Sequence, residues 1–289
     1  EINSYATIPT LTQFLENNGQ DIRILYQGSN CWSSLKRAAG RISYADDTVT
    51  KRLEKGVSNL IHHNTSSFLR FVERFIAGEN VHNIEDNKTY AIMLYYALFQ
   101  DKLSKTGYNS INEALELIHL PKYNCFKQEI AEVISHLLAN LEIRTTPIEK
   151  GVIAGLELYG CYTREEIFTL VGRQTADVRM QGAASGAFNL PEHNTVLLFV
   201  TLNKSEKDFS PSTQYNDYLI NENYFHWQSK NTDSHNNSGG RKYVEQSKTG
   251  LNVILFVREE KKDGFGNTSP FHCFGLVDYV SSHDDFPMN

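Results

Sequence analysis

Thr195-Val196-Leu197-Leu198-Phe199-Val200-Thr201-Leu202 is the stretch on which the fold class turns. It is strand-sized and dense in β-branched and aromatic side chains, the residues that fit a pleated surface. Segments of the same character stand at Tyr224–Gln228, Asn252–Arg258 and His272–Val280. Long polar connections separate them, at 203–212, 231–240 and 259–269. Loops of that length on a sheet scaffold carry function more often than not. One helix is well signalled upstream: Thr163 caps it, Glu166 closes a capping box, and Ile167, Leu170 and Val171 supply the apolar face. Several short strands with one or two helices predict a strongly curved sheet or small barrel.

Upstream of Thr145-Thr146-Pro147 the periodicity changes from two to nearly four. Phe68, Phe71, Val72 and Phe75 recur at helical spacing. So do Ala91, Leu94, Tyr95 and Leu98, and Ile130, Val133, Ile134 and Leu137, the last run continuing to about Ile143. Shorter helices are expected over Leu11–Asn17 and Cys31–Ala39, the latter stopped by Gly40. Ser110 and Glu113 form a further capping box. His62 and His63 fall on an expected helix, where adjacent side chains point apart, so no shared metal is expected of them. The fold class expected is therefore α+β: a helical domain over 1–145, then a curved β-sheet or barrel domain over 146–289.

Composition narrows the classes. A chain 40% hydrophobic and 11% aromatic can bury a core and is not disordered. It opens on Glu1 with no basic-then-apolar leader, which leads us to expect a piece of something longer. No apolar run reaches the ~18 residues of a membrane span. The cysteines stand far apart at 31, 125, 161 and 273, without CxxC or Cys/His pairing. They read as reduced thiols in a cytoplasmic protein rather than as zinc ligands or disulfides. The net charge is −6, and residues 151–289 carry 12 basic against 17 acidic side chains. Any nucleic-acid contact must then rest on a local patch, because the overall field opposes it.

Catalytic motifs are absent: there is no GxxxxGK[ST] loop, no GxSxG elbow, no HExxH and no paired HxK. His235-Asn236-Asn237 lacks the flanking pattern of an HNH nuclease. One nuclease-like signal stands at Arg258-Glu259-Glu260-Lys261-Lys262, which contains Glu-x-Lys twice. Either Glu259 or Glu260 could hold Mg²⁺ with an upstream Asp. A solvated charged strand end explains the same residues.

Five aromatic side chains fall between Tyr215 and Trp227, among Asn216, Asp217 and Gln228. A pocket for a flat polar ring needs this mixture, with faces to stack on and amides or acids to bond its edge. A tyrosine-rich sheet edge needs it too.

The motifs that separate these readings occur in order from Leu156 to Tyr279. They are Leu158-Tyr159 with Tyr162-Thr163-Arg164-Glu165-Glu166-Ile167, then Leu198-Phe199-Val200-Thr201-Leu202-Asn203-Lys204, then Tyr215-Asn216-Asp217-Tyr218. Phe225-His226-Trp227-Gln228-Ser229, Leu255-Phe256-Val257-Arg258-Glu259 and Phe274-Gly275-Leu276-Val277 complete the set. This string resembles a domain family found at the C-terminus of bacterial superfamily II helicases, in particular of SauUSI-type type IV, modification-dependent restriction enzymes. More loosely, Phe14-Leu15 and Cys31-Trp32-Ser33-Ser34-Leu35 resemble the helical lead-in of that family.

The resemblance implies recognition of double-stranded DNA carrying 5-methylcytosine or 5-hydroxymethylcytosine. ATP- and Mg-dependent cleavage would belong to helicase and nuclease domains of a parent chain, with no catalytic residue, metal or cofactor in this one. A reader of this kind can flip the base into a pocket on a curved sheet similar to the SRA readers. From residue chemistry, Tyr215, Tyr218 and Trp227 are the stacking candidates, although core packing is the alternative for each. Asp217 is the acceptor for the cytosine amino group, or else a turn-capping residue. Gln228 or Ser229 would bond the remaining edge. Arg173, Arg179, Lys204, Lys207, Arg241 and Lys242 are candidates for phosphate contacts, or are merely solvated. The helical half would couple the reader to the motor. A nuclease using Glu259 or Glu260, and a protein-interaction module that regulates a helicase, remain the other classes.

Overall fold

Each apolar stripe of the first half becomes a helix. The computed structural model describes residues 1–28, 30–148, 153–180, 186–204, 216–283 and 286–289. They divide into two units, the first made of 1–145 with 160–181 and 264–267, the second of 146–159, 182–263 and 268–289. Among the described residues no helix is long and apolar enough to cross a membrane.

In the first unit, α1 (Leu11–Asn18) starts on a Thr10–Gln13 capping box and stops at Gly19 in the left-handed region. Then come α2 (Trp32–Ala38), α3 (Thr48–Val57), α4 (Ser66–Ile76), α5 (Lys88–Phe99) and α6 (Asn124–Ala139). The sides of α5 are apolar nearly all round, with Ala91 and Met93 through Phe99 buried, so it runs through the core. On it packs α3, while α1, α2 and α4 pack on α6. The last helix of the unit, α7 (Arg164–Leu170), begins at the predicted Thr163–Glu166 capping box.

One buried carboxylate organises the α2–α6 contact. Glu129 of α6 is fully buried and accepts from the Tyr26 hydroxyl at 2.9 Å. It also accepts from the amides of Trp32 and Ser33, at 2.7 and 2.8 Å. Those amides open α2 and have no partner inside it, so a residue about a hundred positions away satisfies them.

Two expectations for this unit need correction. Helix α6 ends at Ala139, short of Ile143. His62 and His63 are not on a helix: the chain leaves α3 through a 3-10 turn at Ser58–Leu60, and Thr65 precedes α4. Freed from helical geometry, the two adjacent imidazoles lie side by side, ring centroids 4.2 Å apart and 30° between planes.

The second unit is built on β1 (Ala187–Leu190), β2 (Thr195–Thr201), β5 (Asn252–Arg258) and β6 (Phe271–Leu276), with a separate short hairpin of β3 (Tyr218–Leu219) and β4 (Phe225–His226). Four strands of the mixed sheet lie in this unit, in the order β1-β2-β5-β6. The inner pair, β2 and β5, is parallel with Thr195 opposite Asn252, and every residue of β2 is buried. Continuous apolar runs are what a parallel pair covered on both faces requires. Val196, Leu198, Val200, Val253, Leu255 and Val257 form one face, packed on Tyr243 of α8 (Ser238–Val244).

The class is α+β as expected, but the sheet does not close into a barrel. Its centre is a parallel pair joined by a long crossover, and β1 is bonded to β2 alone. The strand expected over Tyr224–Gln228 shrinks to Phe225–His226, because the Gln228 amide turns to the Asp217 carboxylate and the Ser229 amide to the Met288 carbonyl. The strand expected over His272–Val280 ends at Leu276, beyond which the Tyr279 amide donates to Gln246 Oε1 at 2.6 Å.

Candidate nucleic-acid interface

The β3–β4 hairpin pairs Tyr218 with His226 and Leu219 with Phe225. Residues directly opposite share a face, so the Tyr218 and His226 rings meet. They stack with centroids 4.5 Å apart and 13° between planes. His226 Nδ1 lies 2.9 Å from the Asn216 carbonyl, which holds the lower ring in place. The turn is closed by Asn221, whose side-chain oxygen accepts from the amides of Asn223 and Tyr224 at 2.9 and 3.0 Å. Above this turn Tyr218, Leu219, Ile220 and Tyr224 are all about half exposed.

Beneath the hairpin lies a buried polar lock. Lys204 Nζ is 2.6 Å from Asp217 Oδ2, with the two side chains 9% and 4% exposed. Asp217 Oδ1 accepts the Gln228 amide at 2.9 Å. The Gln228 side chain then accepts from the Asn216 amide and donates to Asn289 Oδ1, both at 2.6 Å. Ser229 is tied at both ends to Met288, its amide donating to the Met288 carbonyl and its hydroxyl accepting the Met288 amide.

Asp217, Tyr218, Gln228 and Ser229 are therefore brought together at the root of the hairpin. In the lock Asp217, Gln228 and Ser229 bond other parts of the chain, while Tyr218 presents its ring. Trp227 turns toward the core, in T-shaped contact with Tyr243 at 5.0 Å. Tyr215 and Lys207 lie outside the described residues. His226 was passed over by the sequence reasoning; its place opposite Tyr218 follows from register, which a two-residue strand does not announce.

The cationic candidates among the described residues fall in both units. Arg173 and Arg179 belong to the first unit, where Arg179 pairs with Glu165 at 3.3 Å and bonds the Gln100 carbonyl. Lys204 is inside the lock. Arg241 is exposed on α8 and donates to the Asn236 carbonyl at 2.6 Å. Lys242 bonds Asn189 Oδ1 at 2.7 Å and lies over the Tyr243 ring; burial lowers its pKa from the usual lysine value.

Glu259 and Glu260 are exposed just past β5. Neither belongs to any group of His, Cys, Asp and Glu that could share a cation among the described residues. One such group exists, in the first unit: His62, His63 and Glu166, whose ligand atoms lie within 4.8 Å of one another. His62 Nε2 is 2.9 Å from Glu166 Oε2, and His63 Nε2 is 3.2 Å from Glu166 Oε1.

Compared with known families, residues 156–288 match the model of a domain of unknown function, DUF3427. The match takes in α7, strands β1, β2, β5 and β6 and the hairpin. No curated protein matches the chain. No solved structure matches it either.

Proposed function

We propose that the second unit reads modified cytosine in duplex DNA, as the target-recognition part of a modification-dependent restriction enzyme whose motor and nuclease lie in other domains. The order of motifs from Leu156 to Tyr279 supports this reading. The observation that carries it is the Tyr218–His226 stack, an exposed aromatic platform on a hairpin fixed from below by buried bonds.

A base taken out of the duplex costs a few kcal/mol of lost stacking and pairing. Stacking on an aromatic face returns about 1–3 kcal/mol per base, without regard to sequence. The platform alone therefore holds a flipped base without choosing among bases. Discrimination of the 5-methyl group falls to whatever surrounds the ring. Asp217 then acts as a positioning residue that keeps the hairpin base rigid, not as the group that accepts from cytosine.

The test is binding of the chain to matched duplexes with cytosine, 5-methylcytosine or 5-hydroxymethylcytosine, at about 150 mM salt where phosphate contacts are weakened. A modification-dependent preference of about tenfold or more, with affinity for the modified duplexes weakened in Tyr218→Ala and His226→Ala, is the expected result. Equal affinity for all three duplexes, or none for any, overturns the reading. In that case the half-exposed Leu219, Ile220 and Tyr224 favour the second reading, in which the hairpin docks a protein partner.

A further inference from the structure

We infer that His62, His63 and Glu166 form a binding site for a divalent transition-metal ion of the zinc class, fastening the 58–65 turn to the start of α7. Nothing in this site depends on the DNA reading. All three residues belong to the first unit, and two of them are neighbours in sequence.

The donor set is two imidazoles and a carboxylate, a combination that takes zinc and its first-row neighbours rather than Mg²⁺ or Ca²⁺. Bonds of roughly 2.0–2.1 Å to a tetrahedral ion place ligand atoms a little over 3 Å apart. His62 Nε2 is already 2.9 Å from Glu166 Oε2, while the ligand atoms of the three residues lie within 4.8 Å of one another and draw together on an ion. Three ligands from the chain leave a fourth position open. His62 is 14% exposed, which gives that position a side open to water.

Hydrogen bonding alone leaves this cluster incomplete. The His63 side chain is fully inaccessible, yet neither ring nitrogen makes a hydrogen bond. Its Nε2 is close to Glu166 Oε1 but off the line a bond needs. A buried polar group without a partner is costly, and an ion at Nε2 would supply one.

The surroundings are built to hold the three groups in place. Glu166 is fixed as the third residue of α7, its Oε2 accepting the Thr163 amide at 2.7 Å. Asn64, next to His63, accepts the Cys161 amide at 2.6 Å, so the turn and the entry to α7 are also joined beside the cluster. Phe68 closes one side, its ring 4.2 Å from that of His63. An apolar wall beside a metal is the environment that strengthens its bonds to charged ligands.

The experiment is zinc titration of the chelator-treated chain against a chromophoric competitor, with thermal unfolding read in parallel. One equivalent of Zn²⁺ should bind and raise the unfolding midpoint. Glu166→Gln keeps the capping box, because Gln serves at that position, but removes the anionic ligand. His62→Gln removes the accessible imidazole. Each should weaken zinc by more than about tenfold, and His193→Gln, an exposed histidine elsewhere, should not. On the unaltered chain, Co²⁺ should give the visible absorption of a four-coordinate nitrogen and oxygen site without a thiolate charge-transfer band. No stoichiometric zinc, zinc that survives both substitutions, or a cobalt spectrum with thiolate character would each overturn the assignment and leave a buried ion-pair cluster.

Discussion

Lys204 and Asp217 form a buried ion pair, Nζ to Oδ2 at 2.6 Å, at the root of the hairpin that presents Tyr218. Both residues stand out in the sequence for nucleic-acid contacts, Lys204 for phosphate and Asp217 for a base edge. In the fold each answers the other's charge. What reaches solvent is the aromatic pair above them, Tyr218 stacked on His226.

A pair this deeply enclosed is asymmetric in its energetics. Removing one partner leaves a desolvated charge behind, at a cost of about 3–5 kcal/mol, whereas replacing both with apolar groups is far milder. Lys204→Met should therefore lower the urea midpoint strongly, and Lys204→Met with Asp217→Leu should recover much of the loss. Additive losses in the double variant would show that the two side chains do not interact.

Glu129 makes a prediction about pH. Burial raises its carboxyl above the ordinary value, against the pull of the bonds from Ser33, Tyr26 and Trp32. An acid with a raised folded pKa keeps its proton in the folded chain where the unfolded chain has lost it. Its contribution is thus fully present below the ordinary glutamate value near 4.5, and is lost as pH rises through the folded value. Glu129→Gln should cost about 1–3 kcal/mol at neutral pH, since one of its donors meets an NH₂ group instead of an oxygen. The parent chain's advantage over Glu129→Gln should grow as the pH falls toward the ordinary glutamate value, read as the difference between urea midpoints. An advantage that shrinks over that range would mean the bonds from the α2 amides outweigh burial.

Gly56 lies where α3 crosses α5. A Cβ there would sit 2.5 Å from the Leu98 carbonyl oxygen and 2.7 Å from Leu98 Cα, and backbone cannot swing aside. Glycine to alanine inside a helix ordinarily gains up to about 1 kcal/mol. Overpacking of this kind costs about 1–3 kcal/mol or more, so the clash wins. Gly56→Ala should unfold at a lower temperature than the parent chain; an increase would show that α3 and α5 have room to part.

Much of this fold is legible in the sequence, for physical reasons that differ by element. Phe68, Val72 and Phe75 mark α4 because one helical face must be apolar along its whole length. Asn252–Arg258 is read to the residue because a strand buried on both faces has no polar interruption. Pairing is not legible in the same way. That β2 and β5 are parallel neighbours depends on a crossover of some fifty residues, and no local pattern encodes it. His62 and His63 were misread because the stretch 58–65 that follows α3 holds no Pro or Gly; the chain leaves through Ser58–Leu60, and a new helix begins after Thr65. Their partner Glu166 is about a hundred positions away, visible as a capping residue but not as a ligand. The hairpin's aromatic composition was legible, but which rings face outward was not, since Trp227 and Tyr218 look alike until Tyr243 is placed beside Trp227.

That last distinction separates folding from recognition by experiment. Trp227 is packed among Tyr243 and the valines of β2 and β5, and is only partly exposed. Trp227→Ala should therefore cost about 2 kcal/mol or more of stability, somewhat below the range for a fully buried tryptophan. Tyr218 is 45% exposed, and its removal leaves no cavity in the core, so Tyr218→Ala should change stability by no more than about 0.5 kcal/mol. If the stack is a base platform, that same variant should lose about 1–3 kcal/mol of affinity for modified DNA, roughly a 5- to 150-fold weakening. Unfolding midpoints and DNA titrations on the two variants give four numbers. Loss of binding confined to Tyr218→Ala, with loss of stability confined to Trp227→Ala, assigns one ring to recognition and the other to the core. Full binding by Tyr218→Ala would remove the platform from the reading, whatever Trp227→Ala does.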